Sequence, residues 1–142
     1  MYNYDRRDRQ TVADGHLTIT WLLLQTLDCH RLHILSGVTT NSSDSNAKLE
    51  ETYVDNLRYA AERLEREGVM TLIEAISTRA KPGYWLSDPA QAARIVQQVA
   101  HPNLRLQLDI FHAQIVGGDL TQRLKDWAPI IGHVQIAQVL LL

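Results

Sequence analysis

Three observations in the sequence predict an α/β fold with a parallel sheet. Four short apolar segments alternate with helical segments along the 142 residues, at the spacing that βαβ units require. The segment 69–79 is apolar almost throughout and rich in β-branched residues, which indicates a strand buried on both faces. The composition, 45% hydrophobic and 21% charged, is typical of a globular chain with one core. An open doubly wound sheet and a segment of an eight-stranded barrel both fit, although a whole barrel needs about 250 residues.

The first third of the chain predicts one helix and one strand. Residues 1–15 are polar and are expected to be loosely ordered. Apolar residues at helical spacing predict a helix over 16–27. Residues 31–37 then predict a short strand that ends at a glycine, followed by a Thr/Ser/Asn-rich loop over 38–46.

The middle of the chain predicts two helices on either side of the 69–79 strand. Apolar residues at helical spacing predict a helix over 48–67, and Gly68 is placed to end it. The turn-rich loop 80–85 is expected over a pocket mouth, with Trp85 placed to line the pocket. Asp88 before a first-turn proline predicts the start of the next helix, whose buried positions are Ala92, Ile95, Val96 and Val99.

The last third predicts two strands around one helix. Alternation over 104–112 predicts a strand that carries Asp109 and His112 at its C-terminal end. Residues 113–118 include Gly117 and Gly118, and Asp119 is expected to cap a helix that runs through Trp127 and has Leu120, Leu124 and Trp127 on its inner side. The final predicted strand is 132–139.

Glu74 interrupts the most apolar of the predicted strands. An ionised carboxylate buried without a partner is costly, so this side chain is expected to contact a metal ion, an arginine or a substrate, or to stay protonated. A structural carboxylate with a partner inside the core is the alternative.

Polar residues recur where the predicted strands end. In a parallel α/β sheet the carboxyl ends of the strands meet at one edge, where ligands bind. Glu74, Asp109 and Gln135 on neighbouring strands are therefore candidate ligands of a divalent cation. His112 and Arg79 are candidates for contact with substrate oxygens. The alternatives are that His33 and His133 are satisfied core or strand-end residues and that Gln135 bonds a neighbouring loop.

Composition excludes several functional classes. The net charge is −2 and acidic and basic residues are interspersed, so nothing indicates nucleic-acid binding. The single cysteine, Cys29, excludes an intrachain disulfide and fits a reducing compartment. The longest apolar segments are shorter than the ~20 residues that span a bilayer. A cytoplasmic location without a membrane partner is expected. The sequence contains no Gly-rich phosphate loop, nucleophile elbow or paired-cysteine metal motif.

Five segments occur in a recognisable order and spacing: Asn56–Ala61, Leu72–Arg79, Gly83–Leu86, Pro102–His112 and Gly132–Val139. Together they resemble the hydroxypyruvate isomerase family, one of the sugar isomerase and epimerase barrels related to xylose isomerase. The resemblance implies a partial (β/α)₈ TIM barrel over residues 27–142, with the predicted strands corresponding to strands four to seven. Residues 1–26 match the family poorly and are expected to form a separate, partly helical N-terminal segment.

The resemblance also implies a reaction and a site. Glu74 matches the catalytic glutamate and first metal ligand, Asp109 and Gln135 match further ligands, His112 matches a substrate-contacting histidine, and Arg79 is expected to bind the substrate carboxylate. The implied reaction interconverts hydroxypyruvate and tartronate semialdehyde through an enediolate, with Mg²⁺ or Mn²⁺ as the implied metal. A ketose isomerase or epimerase of related type is an alternative with the same site.

The chain also departs from the family. The family has a metal-binding glutamate on strand eight that acts as the second acid/base, and this sequence stops before such a strand. We therefore expect a truncated or alternatively spliced product, or an imperfect gene model. A half barrel has open sheet edges, which favours a homo-oligomer. A catalytically silent isoform with an interaction or regulatory role is the corresponding alternative function.

Overall fold

The computed structural model of the chain describes residues 24–39 and 44–138. The chain forms two compact units, residues 1–31 and 32–142. In the first unit, residues 24–26 are helical and the backbone N–H of Cys29 donates to the carbonyl of Leu24 at 2.8 Å. The predicted segment 1–15 and most of the predicted helix 16–27 lie outside the described residues.

The second unit is built on a four-stranded sheet with the order β1-β2-β3-β4. The pairs β2/β3 and β3/β4 are parallel, which confirms the predicted α/β fold. The strands are β1 (Arg31–His33), β2 (Met70–Glu74), β3 (Leu104–Asp109) and β4 (Ile131–Gln135). All four are shorter than predicted, because the predicted segments include residues that follow each strand.

Four helices follow the strands in the described part of the second unit: α1 (Asn46–Glu65), α2 (Pro89–Val99), α3 (Ile110–Val116) and α4 (Leu120–Trp127). The side chain of Asp88 caps α2 by accepting from the backbone N–H of Ala90 at 2.9 Å, as predicted. Gly68 lies in the left-handed region with φ +69° just after α1. None of the described helices combines the length and apolar composition that crossing a bilayer requires.

The prediction for residues 110–112 was wrong. These residues were assigned to the third strand, but they begin α3. Asp109 is the reason, because its Oδ1 accepts from the backbone N–H groups of Phe111 at 2.7 Å and His112 at 3.2 Å. This cap turns the backbone into a helix directly after the strand. His112 therefore lies in the first turn of α3.

The prediction for α4 was partly wrong. Asp119 precedes the helix as predicted, but it adopts a left-handed conformation and its side chain makes no capping hydrogen bond. The predicted buried stripe is not buried either, since Leu124 is 38% exposed and Leu120 and Trp127 are half-buried. The helix is covered less than its sequence pattern suggests.

The core lies between the sheet and the first two helices. Alternate residues of β2 and β3, among them Ile73, Leu104 and Leu106, pack in one buried cluster with residues of α1 and α2. Burial of each such side chain contributes about 1.5–3 kcal/mol. The helix residues in this cluster are Tyr53, Val54, Leu57, Ala61, Ala92, Ala93, Ile95, Val96 and Val99.

The register of the sheet places the ends of three strands side by side. Glu74 pairs with Gln107, and Asp109 pairs with Gln135. The β3/β4 register shifts by one residue next to Gly132, which is the extra residue of a β-bulge. A Cβ at Gly132 would lie 2.5 Å from the Cβ of Arg105, so only glycine fits there. The bulge therefore sets which residue of β4 lies beside Asp109.

Candidate active site

Three side chains converge at the carboxyl ends of β2 and β3. Glu74 is the last residue of β2, Asp109 is the last residue of β3, and His112 follows in α3. One carboxylate oxygen of each acid and one ring nitrogen of His112 all lie within 4.8 Å of one another. The structure thus brings together three of the five residues that the sequence singles out.

The orientation of His112 follows from local contacts. Asp109 caps the start of α3, and this cap places His112 in the first turn of the helix, facing β2. The buried Ser77 Oγ lies 3.2 Å from His112 Nδ1, within hydrogen-bond distance. This contact leaves His112 Nε2 facing Glu74, at 3.8 Å from Oε1. A histidine held at one ring nitrogen presents the other in a fixed direction.

Glu74 is the most perturbed acid of the site. It is only 6% exposed. Burial raises the pKa of Glu74 to about 7, and the nearby negative charge of Asp109 adds to the increase, whereas the hydrogen bond from Gln107 opposes it. A carboxyl group with a pKa near neutrality both accepts and releases a proton at physiological pH, as a general base must.

His33, at the end of β1, lies on the other side of Glu74. Its Nδ1 is 3.4 Å from Glu74 Oε2, and its buried Nε2 has no hydrogen-bond partner among the described residues. Burial lowers the pKa of His33, which favours the neutral ring. Our interpretation of His33 as a core or strand-end residue therefore omits a contact with the central acid of the site.

Gln107 was missed by the sequence analysis. This buried side chain on β3 donates from Nε2 to Glu74 Oε2 at 2.6 Å and to Gln135 Oε1 at 2.7 Å. A signal was present, because Gln107 precedes Asp109 by two residues and strand residues two apart share a face. Ser77 was also missed, and its position in a loop after β2 gives no comparable signal.

The other two predicted residues are exposed. Gln135 pairs with Asp109 in the sheet, and its side chain is linked to Glu74 through Gln107. Arg79 is exposed in the turn after Ser77 and makes no hydrogen bond or ion pair with any residue that the structure describes. Trp85 is half-buried, contacts Tyr53 edge to face and donates to Asn46 Oδ1 at 2.7 Å. Its predicted role in lining a pocket stays a prediction.

The donor set fits a divalent cation. Carboxylate oxygens and an amide oxygen are preferred by Mg²⁺ and Mn²⁺, and an imidazole nitrogen is accepted by Mn²⁺ and Zn²⁺. Two ligand atoms about 2.1 Å from one ion are at most about 4.2 Å apart. The ligand atoms of Glu74, Asp109 and His112 lie within 4.8 Å of one another, so small side-chain rotations bring them into range.

Comparisons with known proteins agree with this architecture. The sequence model described as xylose isomerase-like TIM barrel matches residues 10–140. A Danio rerio protein with hydroxypyruvate isomerase in its name is 45% identical over 117 residues, which are 80% of this chain and 42% of that protein. The 2-oxo-tetronate isomerase of Pectobacterium atrosepticum is 41% identical over 113 residues, 80% of this chain and 43% of the relative. The chain thus spans less than half the length of these two relatives.

A solved structure shows the same fold. The crystal structure named AP endonuclease, family 2, from Brucella melitensis superposes with a TM-score of 0.84 at 36% sequence identity. The match covers 98% of this chain and 52% of that protein. The four parallel strands and their helices therefore form a partial TIM barrel, as the resemblance implied.

Proposed function

The chain belongs to the xylose isomerase-like TIM barrel family, and we propose that its Glu74 site serves the isomerisation of a small hydroxy-keto acid. The proposed reaction interconverts hydroxypyruvate and tartronate semialdehyde. The observation that carries the proposal is the convergence of Glu74, Asp109 and His112, with the pKa of Glu74 raised to about 7. The names of the relatives from Danio rerio and Pectobacterium atrosepticum support an isomerase.

Glu74 is the proposed catalytic base. In its ionised form it removes the proton from the carbon next to the substrate carbonyl, which leaves an enediolate. A second carboxylate, which the resemblance assigns to an eighth strand, returns a proton to the neighbouring carbon. His112 Nε2 faces the same space as Glu74 Oε1 and is proposed to contact a substrate oxygen. Arg79 is proposed to bind the substrate carboxylate from the exposed turn after β2.

A divalent cation, Mg²⁺ or Mn²⁺, completes the proposed site. Glu74, Asp109 and Gln135 are the ligands that the resemblance implies, and the carboxylates of Glu74 and Asp109 lie in one cluster. When bound, such an ion neutralises negative charge on the enediolate oxygens. The carboxylates of Glu74 and Asp109, at one edge of the sheet, supply the negative charge that balances the positive charge of the ion.

An isomerase assay tests the proposal. The full chain is incubated with hydroxypyruvate and Mg²⁺ or Mn²⁺, and the product is followed by NMR. Loss of the base in Glu74→Gln is expected to reduce the rate by about 10²–10⁴-fold. The matched control is Glu65→Gln, which changes an exposed glutamate at the end of α1 and is expected to leave the rate unchanged. Equal rates for the native chain and Glu74→Gln would remove Glu74 from the mechanism.

The substrate is tested in the same assay. A parallel measurement with 2-oxo-tetronate and with free ketoses distinguishes the hydroxypyruvate reaction from that of a related isomerase or epimerase. Faster turnover of a ketose would transfer the proposal to that substrate class while keeping the same site. The free thiol of Cys29 fits the cytoplasmic location that the sequence predicts.

A second candidate function is an interaction or regulatory module without catalysis. The observation that favours it is the exposure of β4 and the residues after it, where Val134 is 39% and Ile136 is 85% exposed. Apolar residues near an edge strand favour pairing with another copy or with a longer barrel. Size-exclusion chromatography with metal titration separates the two functions, because a monomer that binds Mn²⁺ tightly contradicts the module.

A further inference from the structure

We propose that Gln107 is a positioning residue that orients the two metal-ligand side chains beside it, Glu74 and Gln135. The inference rests on the proposed function, since it assumes that these side chains bind a cation. It adds to the site a residue that itself need not contact the cation or the substrate.

The geometry of one amide group carries the inference. Gln107 Nε2 lies 2.6 Å from Glu74 Oε2 and 2.7 Å from Gln135 Oε1, so its two N–H bonds point to acceptors on two different strands. The register explains how the Gln107 side chain reaches both acceptors. Gln107 on β3 pairs with Glu74 of β2, and Gln135 of β4 pairs with Asp109, two residues after Gln107 on the same strand. The side chain is only 7% exposed, which restricts its rotation.

The hydrogen bond to Glu74 selects which carboxylate oxygen remains available. Oε2 is occupied by Gln107 and flanked by His33 Nδ1 at 3.4 Å. Oε1 is directed to the opposite side, toward His112. The carboxylate thus presents one defined oxygen to the cluster, as expected for a ligand held by an outer partner.

The hydrogen bond to Gln135 has a different consequence. Gln135 is exposed at the end of β4, where a long side chain otherwise samples many rotamers. The hydrogen bond from Gln107 holds the side-chain oxygen of Gln135, Oε1, near Glu74, and Oε1 retains a second lone pair for a cation. Without Gln107, Gln135 has no described contact that directs it to the site.

A structural role for Gln107 makes a different prediction. If Gln107 only filled space in the sheet, methionine, which has similar length and no donor, would replace it without effect on the ligands. If Gln107 positions them, both Gln107→Met and the shorter Gln107→Asn disturb metal binding, because neither can donate to both oxygens.

The experiment measures Mn²⁺ affinity of the full chain by electron paramagnetic resonance, with circular dichroism as a check of folding. We expect Gln107→Met and Gln107→Asn to weaken Mn²⁺ binding by about 10- to 100-fold, the range typical of outer-shell partners. The matched control is Thr71→Val, which removes a buried polar group from β2 away from the cluster and is expected to leave the affinity unchanged. In a Gln135→Leu background the effect of Gln107→Met is expected to shrink, since one of its two acceptors is gone.

The outcomes separate the inference from the proposed function. Native affinity in a folded Gln107→Met or Gln107→Asn chain overturns the inference and leaves the proposed function intact. Equal weakening by Thr71→Val also overturns it, because the effect would then come from general loss of packing. A native chain that binds no Mn²⁺ overturns both.

Discussion

The two central strands differ from the last strand in burial. In β2, four of five residues are buried, and α1 and α2 pack on the sheet beside β2 and β3. In β4 no residue is buried, and α4, which precedes it in the chain, buries none of its residues either. A strand's apolar residues thus indicate which side can be covered, whereas its neighbours decide whether that side is covered.

The same gradient of burial crosses the candidate site. Glu74 and Gln107 are buried, Asp109 and His112 are half-buried, and Gln135 is exposed. Desolvation acts on a carboxylate only where water is excluded. This explains why burial raises the pKa of Glu74, the acid on the buried side. The buried side therefore suits proton transfer, and the exposed side depends on hydrogen bonds to hold its ligand.

The largest test of this contrast compares one core residue of β2 with one residue of β4. Ile73 is fully buried, and Ile73→Ala is expected to lower the free energy of unfolding by about 2–5 kcal/mol through lost burial and a cavity. Val134 is 39% exposed, and Val134→Ala is expected to cost less than about 1 kcal/mol. Urea denaturation measures both. If Ile73→Ala does not fold, Ile73→Val replaces it, with about 0.5–1.5 kcal/mol expected. Equal losses at the two positions would contradict the contrast.

A second test concerns the close approach of β3 to Gly132 in β4. Gly132→Ala is expected to lower the free energy of unfolding by about 1–3 kcal/mol, because the new methyl group would clash with Cβ and Cγ of Arg105 and with the sulfur of Met70. Gly117→Ala is the control, since the atom it meets is the flexible end of Arg123. Thermal unfolding compares the two variants. A smaller loss at Gly132 than at Gly117 would show that β4 moves freely away from β3.

Much of the central region could be predicted from the sequence. The pattern of α1 and α2, with Asp88 as a cap, and the continuous apolar segment that contains Glu74 are local signals, and local signals fixed these elements correctly. The polar strand ends were also expected at one edge, and Glu74, Asp109 and His112 do meet there. Their catalytic and ligand roles stay predictions.

The parts that could not be predicted depend on contacts between strands. The hydrogen bonds of Gln107 and the contact of His33 with Glu74 arise from register, which one sequence does not reveal. The bulge at Gly132 is a property of the β3/β4 pair. The start of α3 was misassigned because Ile110 continues the apolar alternation of Leu104, Leu106 and Leu108, whereas the capping role of Asp109 starts a helix there.

The raised pKa of Glu74 sharpens the contrast through the pH dependence of stability. The folded chain binds this proton more tightly than the unfolded chain, so the contribution to stability is present below the usual pKa of 4.5 and is lost as the pH rises through about 7. Allowing for solvent screening, the loss is about 1–2 kcal/mol. Urea denaturation between these pH values, with EDTA to exclude metal, compares the native chain with Glu74→Gln.

Subtracting the pH dependence of stability in Glu74→Gln from that in the native chain separates the contribution of Glu74 from that of its titratable neighbours. These neighbours are Asp109, His33 and His112. Glu74→Gln is expected to flatten the fall in stability between these pH values. An identical pH dependence in both chains would place Glu74 in a more hydrated site than its burial indicates.

The smallest expected effect tests whether surface charges contribute to the stability of the central region. Arg94 on α2 donates to both carboxylate oxygens of Glu50 on α1, at 2.7 and 3.0 Å, and these bonds lower the pKa of Glu50. Because the Arg94 side chain is 55% exposed, Arg94→Ala is expected to cost less than about 1 kcal/mol, and less again in high salt. Arg58→Ala, which removes a comparable exposed pair with Asp55 within α1, is the control. Urea denaturation at low and high salt gives both values. A loss at Arg94 as large as that at Ile73 would mean that the two helices depend on this ion pair to cover β2 and β3, and burial alone would then not explain why the central strands differ from β4.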